Sequence, residues 1–154
     1  MRPYEAGEAA SYRFVIAATG VPDVDRAVYV DAEAAGVWVN SADDPAHCSV
    51  MLPAVWRTGA VTVAVSTGGT SPALAGWLRT RVARMVGAHL GQLATLLGRA
   101  RATLRAEGRP TDCVDWRQLL DGPLTAIVAD GRMDDAAALV EQATGPRRTN
   151  APTW

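Results

Sequence analysis

Lysine is missing from this chain: all 15 basic residues are arginine. That excludes Schiff-base chemistry on a protein amine and a phosphate-binding P-loop lysine. Cysteine is scarce. Cys48 and Cys113 stand alone, too few for a disulfide framework and without C-x-x-C metal spacing, so the expectation is a reduced, cytoplasmic protein. No run approaches the ~18–20 apolar residues of a membrane-spanning helix. The opening M-R-P-Y-E-A-G-E has no apolar core and does not read as a secretory signal. No two glycines stand two apart, so the chain contains no G-x-G-x-x-G dinucleotide loop. Internal repeats and low-complexity segments are absent too.

What is present suits one folded domain, or two small pieces sharing a core: 154 residues, 49% of them hydrophobic. The net charge of −1 hides an asymmetry. Residues 1–71 carry four arginines against eight acids. Residues 72–109 carry seven arginines (79, 81, 84, 99, 101, 105 and 109) against Glu107 alone, a local net of +6. Such a segment suits a polyanionic partner, either nucleic acid or a small molecule with several carboxylates. Nucleic acid is the weaker candidate, since the segment lacks interleaved aromatics and any known motif.

Tyr12 to Ala18 reads as a buried strand. Pro22 opens a helix bearing Val24, Val28 and Ala32, and Gly36 stops it. Val37 to Asn40 reads as a second strand, giving a βαβ unit and hence a parallel sheet. Two β-rich runs, Cys48 to Arg57 and Ala60 to Ser66, flank Thr58-Gly59 as a hairpin. Thr67-Gly68-Gly69-Thr70 forms a loop, after which Ser71 caps a helix with Pro72 in its first turn. Apolar residues from Leu74 through Leu78, Val82, Met85, Leu90, Leu93 and Leu97 to Leu104 recur at helical spacing, predicting one long helix or two abutting ones. Three short helices follow, at Asp115–Leu120, Leu124–Ala129 and Asp134–Gln142, and the last ten residues read as a tail.

In an open α/β sheet, ligands bind outside the carboxyl ends of the strands. Thr19, Asn40 and Asp43 occupy such ends, although turn residues and helix caps do too. Gly68-Gly69, between a strand and a helix, fits an anion cradle at a helix N-terminus, or equally a connector needing permissive backbone angles. Adjacent His47 and Cys48 on an extended segment point to opposite faces and make a poor pair of metal ligands. No metal site is expected.

The motifs N-S-A-D-D-P-A-H-C (Asn40–Cys48), S-T-G-G-T-S-P (Ser66–Pro72) and H-L-G-Q-L-A-T-L-L-G-R-A-R (His89–Arg101), with V-I-A-A-T upstream, stand together in one order and spacing. From about Arg2 to Arg105 the chain resembles the precorrin-2 dehydrogenase/sirohydrochlorin ferrochelatase family, the sirohaem-making enzymes. The resemblance implies an α/β fold: a truncated Rossmann-like parallel sheet (residues 1–46), then a β-hairpin and helix region for dimerisation and substrate binding (47–109), then a small helical C-terminal part with its tail (110–154). It implies NAD-dependent oxidation of precorrin-2 to sirohydrochlorin, with ferrous iron as a further substrate in bifunctional members. A homodimer with a tetrapyrrole substrate, and with neither nucleic acid nor membrane, is expected. Asp43 becomes the catalytic residue, in preference to its neighbour Asp44. A carboxylate suits the proton that dehydrogenation releases and the two pyrrole protons that metal insertion displaces. Thr19 and Asn40 become cofactor contacts. Ser66, Thr67, Gly68, Gly69, Ser71 and Arg79 become substrate contacts, arginine because the substrate carries carboxylates. His89 matches a structural position.

Two departures from the family stand out. About 60–80 residues of a nucleotide-binding half-fold, with its glycine-rich turn, would ordinarily precede Arg2, so Met1 is expected to be an internal start. NAD binding should then be weak, and the strand edge at Phe14 to Ala18 should be exposed and adhesive. Asp25 also stands where the family has asparagine, exchanging an amide for an acceptor-only carboxylate. The alternatives left open are a tetrapyrrole-binding or chelatase-only remnant, and a dimerisation module completing a separate NAD-binding chain.

Overall fold

The computed structural model describes residues 2–145. The expected tail therefore falls almost wholly outside the described residues. The chain divides into two compact units, residues 2–54 with 64–79, and residues 55–63 with 80–145.

In the first unit, strand β1 (Phe14–Ala17), helix α1 (Pro22–Ala34) and strand β2 (Trp38–Ser41) form the expected βαβ unit. The strands are parallel, in register from Phe14 opposite Trp38 to Ala17 opposite Ser41. Both are shorter than or shifted from expectation: β1 starts at Phe14 rather than Tyr12, and β2 runs one residue further, to Ser41. Helix α1 stops for a local reason. Gly36 adopts φ 66°, the Val37 N–H donates to the Ala32 carbonyl at 2.8 Å, and the Gly36 N–H donates to that of Glu33 at 3.1 Å. This left-handed termination satisfies the last carbonyls and turns the chain back toward the sheet. Val37 and Val39 then join Ala32 and Ala9 in a buried cluster under Tyr4, Val15 and Tyr29. The N-terminal segment is strapped to α1 through Asp31, whose Oδ2 accepts the Tyr4 hydroxyl at 2.8 Å and the Gly7 N–H at 2.6 Å. The other face of the sheet leaves Phe14, Ile16 and Trp38 exposed.

The β-rich run expected from Cys48 is a strand only from Ala54: β3 spans Ala54–Thr58 and β4 spans Val61–Val65. Pro45–His47 is a short 3-10 turn, not extended chain. Ser49 and Val50 instead lie along the edge of β2, their N–H groups reaching the Val39 carbonyl at 2.9 and 3.2 Å. The Ser49 hydroxyl accepts the Val39 N–H at 2.8 Å. Edge groups that a third strand would have paired are satisfied here by a side chain and two backbone amides.

The long apolar stripe belongs to two helices, α2 (Pro72–Val86) and α3 (Leu90–Ala106), with Gly87 at φ 80° between them. Ser71 caps α2 as expected, its Oγ accepting the Leu74 N–H at 3.2 Å. Helices α4 (Trp116–Asp121), α5 (Leu124–Ala129) and α6 (Met133–Thr144) complete the second unit. Its core gathers Leu93, Leu119, Leu124, Val128, Ala136 and Val140. At ~1.5–3 kcal/mol for each large side chain fully withdrawn from water, this cluster dominates that unit's stability. The apolar positions of α2 behave differently: Leu74 and Trp77 are exposed and Met85 is 82% exposed. Among the described residues, no helix is long and apolar enough to cross a membrane.

Candidate functional site

The loop that leaves β2 carries the chemistry. Asp43 adopts φ 59° and is the only non-glycine among the described residues with a positive φ. For an L-residue this conformation costs ~1–2 kcal/mol, less for aspartate or asparagine than for other side chains. Strain of this kind persists only where surrounding contacts fix it, and here the contacts are visible. The Cys48 sulfur accepts the Ser41 N–H at 3.1 Å and lies 3.3 Å from the carbonyl oxygens of both Ser41 and Asp44. The Ala42 N–H reaches the Ala17 carbonyl at 2.8 Å, extending the β1–β2 pairing by one bond.

The two neighbouring acids are thereby set apart. Asp44 Oδ2 lies 2.6 Å from His47 Nδ1, and the His47 ring meets Tyr29 edge-on at 5.0 Å. The exposed Asp43 carboxylate has no such partner among the described residues. His47 engages the Asp44 carboxylate and Cys48 the backbone of Ser41 and Asp44, at a 3-10 turn rather than on the extended segment expected. No group of three or more metal-ligating side chains occurs among the described residues.

A crevice of about 320 Å³ opens beside Asp43. One wall is the end of β2 with the Ala42–Pro45 loop. The other is the end of β4 with the Ser66–Gly69 loop and the first turn of α2. The second wall is wired internally. Thr67 Oγ1 accepts the Ser71 N–H at 3.1 Å and donates to the Ser71 carbonyl at 3.0 Å. Ser66 Oγ accepts the Gly68 N–H at 3.1 Å. Gly68 and Gly69 adopt φ 61° and 81°, and a β-carbon on Gly69 would come within 3.1 Å of Met51 Cε. The positive φ favours glycine at both positions, and at Gly69 a β-carbon would also press on the flexible end of Met51.

Of the residues singled out in the sequence, Asn40, Asp43, Ser66, Thr67 and Gly69 line this crevice together. Gly68 and Ser71 shape its wall without lining it, and Arg79 lies further along α2, exposed. Asn40 spends its amide on the Val50 carbonyl at 3.0 Å. Thr19 is not in this crevice; its N–H and hydroxyl both donate to Asp25 Oδ1, at 3.0 and 2.8 Å. A second hollow, about 450 Å³, lies where β1 and β2 end and α1 begins, and Asp25, Asp43 and Asp44 line it. His89 lies just before α3, its carbonyl accepting the N–H groups of Gln92 and Leu93 at 3.0 Å each. Sequence reasoning passed over Ser41, which lines the crevice and is 4% exposed, its hydroxyl without a hydrogen-bond partner. It also passed over Cys48 as an organiser of the Asp43 loop. No signal in the sequence marks either role, because each depends on how the folded turn brings Ser41, Asp44 and Cys48 together.

Residues 1–54 match a family model described as "Putative NAD(P)-binding", and residues 59–85 match one described as "Sirohaem biosynthesis protein central". The siroheme synthase of Methylococcus capsulatus is 37% identical over 98% of this chain and 32% of its own length. Siroheme synthase 1 of Aeromonas hydrophila is 40% identical over 60% of this chain and 20% of its own length. The chain thus spans about a third or less of the curated relatives it matches. A solved structure of SirC, precorrin-2 dehydrogenase, superposes with a TM-score of 0.60 at 18% identity, covering 84% of this chain and 64% of that one; that likeness is one of fold. These relatives are enzymes, and the chain belongs to their family, the sirohaem-synthesis proteins.

Proposed function

We propose that this chain acts in sirohaem biosynthesis as an NAD-dependent precorrin-2 dehydrogenase, with the crevice beside Asp43 as its active site and sirohydrochlorin as product. One observation carries the reading. Asp43 is held in a strained left-handed turn lining the crevice with its carboxylate unengaged, while Asp44 is taken up by His47. Strain maintained around a reactive group is a common mark of an active site.

Oxidation of precorrin-2 removes a hydride and a proton. NAD+, when bound, would supply the hydride acceptor. The hollow at the ends of β1 and β2 suits the nicotinamide end, which is cationic when oxidised, because Asp25, Asp43 and Asp44 line it. The same three carboxylates make it a poor seat for a pyrophosphate. Asp43 accepts the proton, a carboxylate within reach of the ring being the group such a step needs. The Ser66–Gly69 wall holds the macrocycle against it, with Ser66 and Thr67 as polar contacts. Arg79 serves the substrate's peripheral carboxylates. Insertion of ferrous iron, as a substrate, into sirohydrochlorin requires removal of two pyrrole protons, and Asp43 is the acceptor in that step as well.

On this reading residues 1–46 serve the cofactor, 47–109 serve substrate and dimer, and 110–154 are the C-terminal region of a cytoplasmic enzyme, helical over its described part. The exposed Leu74, Trp77 and Met85 of α2 are covered by a second copy of the chain, which sedimentation of the purified protein tests as a dimeric mass. For activity, the chain is mixed with precorrin-2 and NAD+, and NADH and sirohydrochlorin are followed by absorbance. Joint appearance of both products is expected. Tight tetrapyrrole binding without NADH would overturn the dehydrogenase and leave a chelatase or binding role.

A further inference from the structure

We infer that Cys48 is a positioning residue for Asp43: its thiol holds the Ser41–Asp44 turn in the left-handed form that presents the Asp43 carboxylate to the crevice. The inference rests on the proposed role of Asp43, but its geometric core stands without it.

The thiol sits at the centre of the turn. Its sulfur accepts the Ser41 N–H at 3.1 Å, on the N-terminal side of Asp43. The S–H proton faces two carbonyl oxygens, those of Ser41 and Asp44, each 3.3 Å away. One small side chain therefore ties the backbone on both sides of Asp43. The Asn40 amide adds a longer contact at 3.7 Å. Beyond the thiol, the Asp44 N–H reaches the Ser41 carbonyl only at 3.5 Å. The usual device for a turn with positive φ, a glycine, is absent at this position, so the preference of Asp43 for right-handed or extended angles must be offset by contacts. Cysteine suits the place because a thiol is compact, tolerates a buried setting and both accepts and donates weakly. Cys48 is itself fixed. It follows the Pro45–His47 turn, where the His47 N–H meets the Asp44 carbonyl at 3.1 Å, and it precedes Ser49, which is bonded to Val39.

The test compares the full chain with Cys48→Ala, Cys48→Ser, Asp43→Asn and the Cys48→Ala/Asp43→Asn double variant. Two readouts are taken. The first is the Asp43 Cα and Cβ chemical shifts, which report the sign of φ and need no activity. Native shifts should mark a left-handed residue, Cys48→Ala should lose that signature, and Cys48→Ser, which keeps a donor and an acceptor, should retain part of it. The second is steady-state oxidation of precorrin-2. Cys48→Ala should lower kcat by roughly ten- to a hundredfold, the scale of a displaced reacting group, with KM little changed. The same substitution should cost nothing further once Asp43 is asparagine. Cys48→Ala with native Asp43 shifts would overturn the inference, as would an equal loss of kcat in both backgrounds, which marks general damage. A chain that oxidises no precorrin-2 tells against the proposed function, and the shifts still decide the role of Cys48.

Discussion

Two glycine-to-alanine substitutions in one helix should move stability in opposite directions. Gly91, in the first turn of α3, packs against the end of β3. A β-carbon there would stand 2.9 Å from both the Thr58 carbonyl oxygen and Thr58 Oγ1, and 3.0 Å from the Thr58 carbonyl carbon. The strand end cannot simply retreat, because Thr58 Oγ1 donates to the Ala88 carbonyl at 2.8 Å and Gly59 meets Gly91 from the other side of the turn. Overpacking of this kind costs ~1–3 kcal/mol, and a disturbed Thr58 hydrogen bond adds ~1 kcal/mol. The gain in helix propensity, at most ~1 kcal/mol and smaller in a first turn, does not offset this. Gly91→Ala should therefore destabilise by about 1–3 kcal/mol. Gly98 lies mid-helix on the exposed side with nothing within 4 Å of its would-be β-carbon. Gly98→Ala should stabilise by ~0.8–1 kcal/mol. Urea unfolding of both variants and the parent measures the two midpoints at constant slope. A Gly91→Ala protein as stable as its parent would refute the close approach of hairpin and helix.

Three further outcomes follow from single contacts. Asp31 is held below the ordinary aspartate range, first by the Gly7 N–H and then by the Tyr4 hydroxyl. Its stabilising effect is complete above that range and fades as pH falls through its lowered value. Asp31→Asn should consequently flatten the acid limb of a stability-versus-pH curve and leave the neutral limb parallel to the parent. Ser71→Ala removes the acceptor for the Leu74 N–H and should cost ~1 kcal/mol in urea unfolding. Leu124→Ala empties a fully buried position in the second unit and should cost ~2–5 kcal/mol, read from the same unfolding curves.

Much of the fold could be read from local pattern. Pro22 and Gly36 bracket α1 because proline suits a helix start and glycine accepts the left-handed angle beyond its end. Ser71-Pro72 opens α2 for the same class of reason, and the three short terminal helices fall within a few residues of expectation. The failures have a common cause in long-range contact. The residues after Cys48 have strand character, yet Ser49 and Val50 bond to β2 through a side chain and two amides instead of a ladder. The apolar period of α2 shows a stripe without showing what faces it, and Leu74, Trp77 and Met85 remain exposed in the single chain. In the site, Asp43 and the Ser66–Gly69 loop were legible as motifs. The left-handed turn, the Asp44–His47 pair and the bond from Thr19 to Asp25 were not, because each depends on where a folded backbone brings two side chains.

The proposed role of Asp43, and not Asp44, as proton acceptor is open to direct test. Asparagine tolerates the same left-handed angle, so Asp43→Asn removes the charge while preserving the turn. The most direct measurement is the rate of NAD-dependent precorrin-2 oxidation by Asp43→Asn and Asp44→Asn beside the parent, with folding checked by unfolding midpoint. Asp43→Asn should lose about a hundredfold or more, in line with removal of a general base, and Asp44→Asn much less. Parental turnover by a folded Asp43→Asn protein would contradict that role.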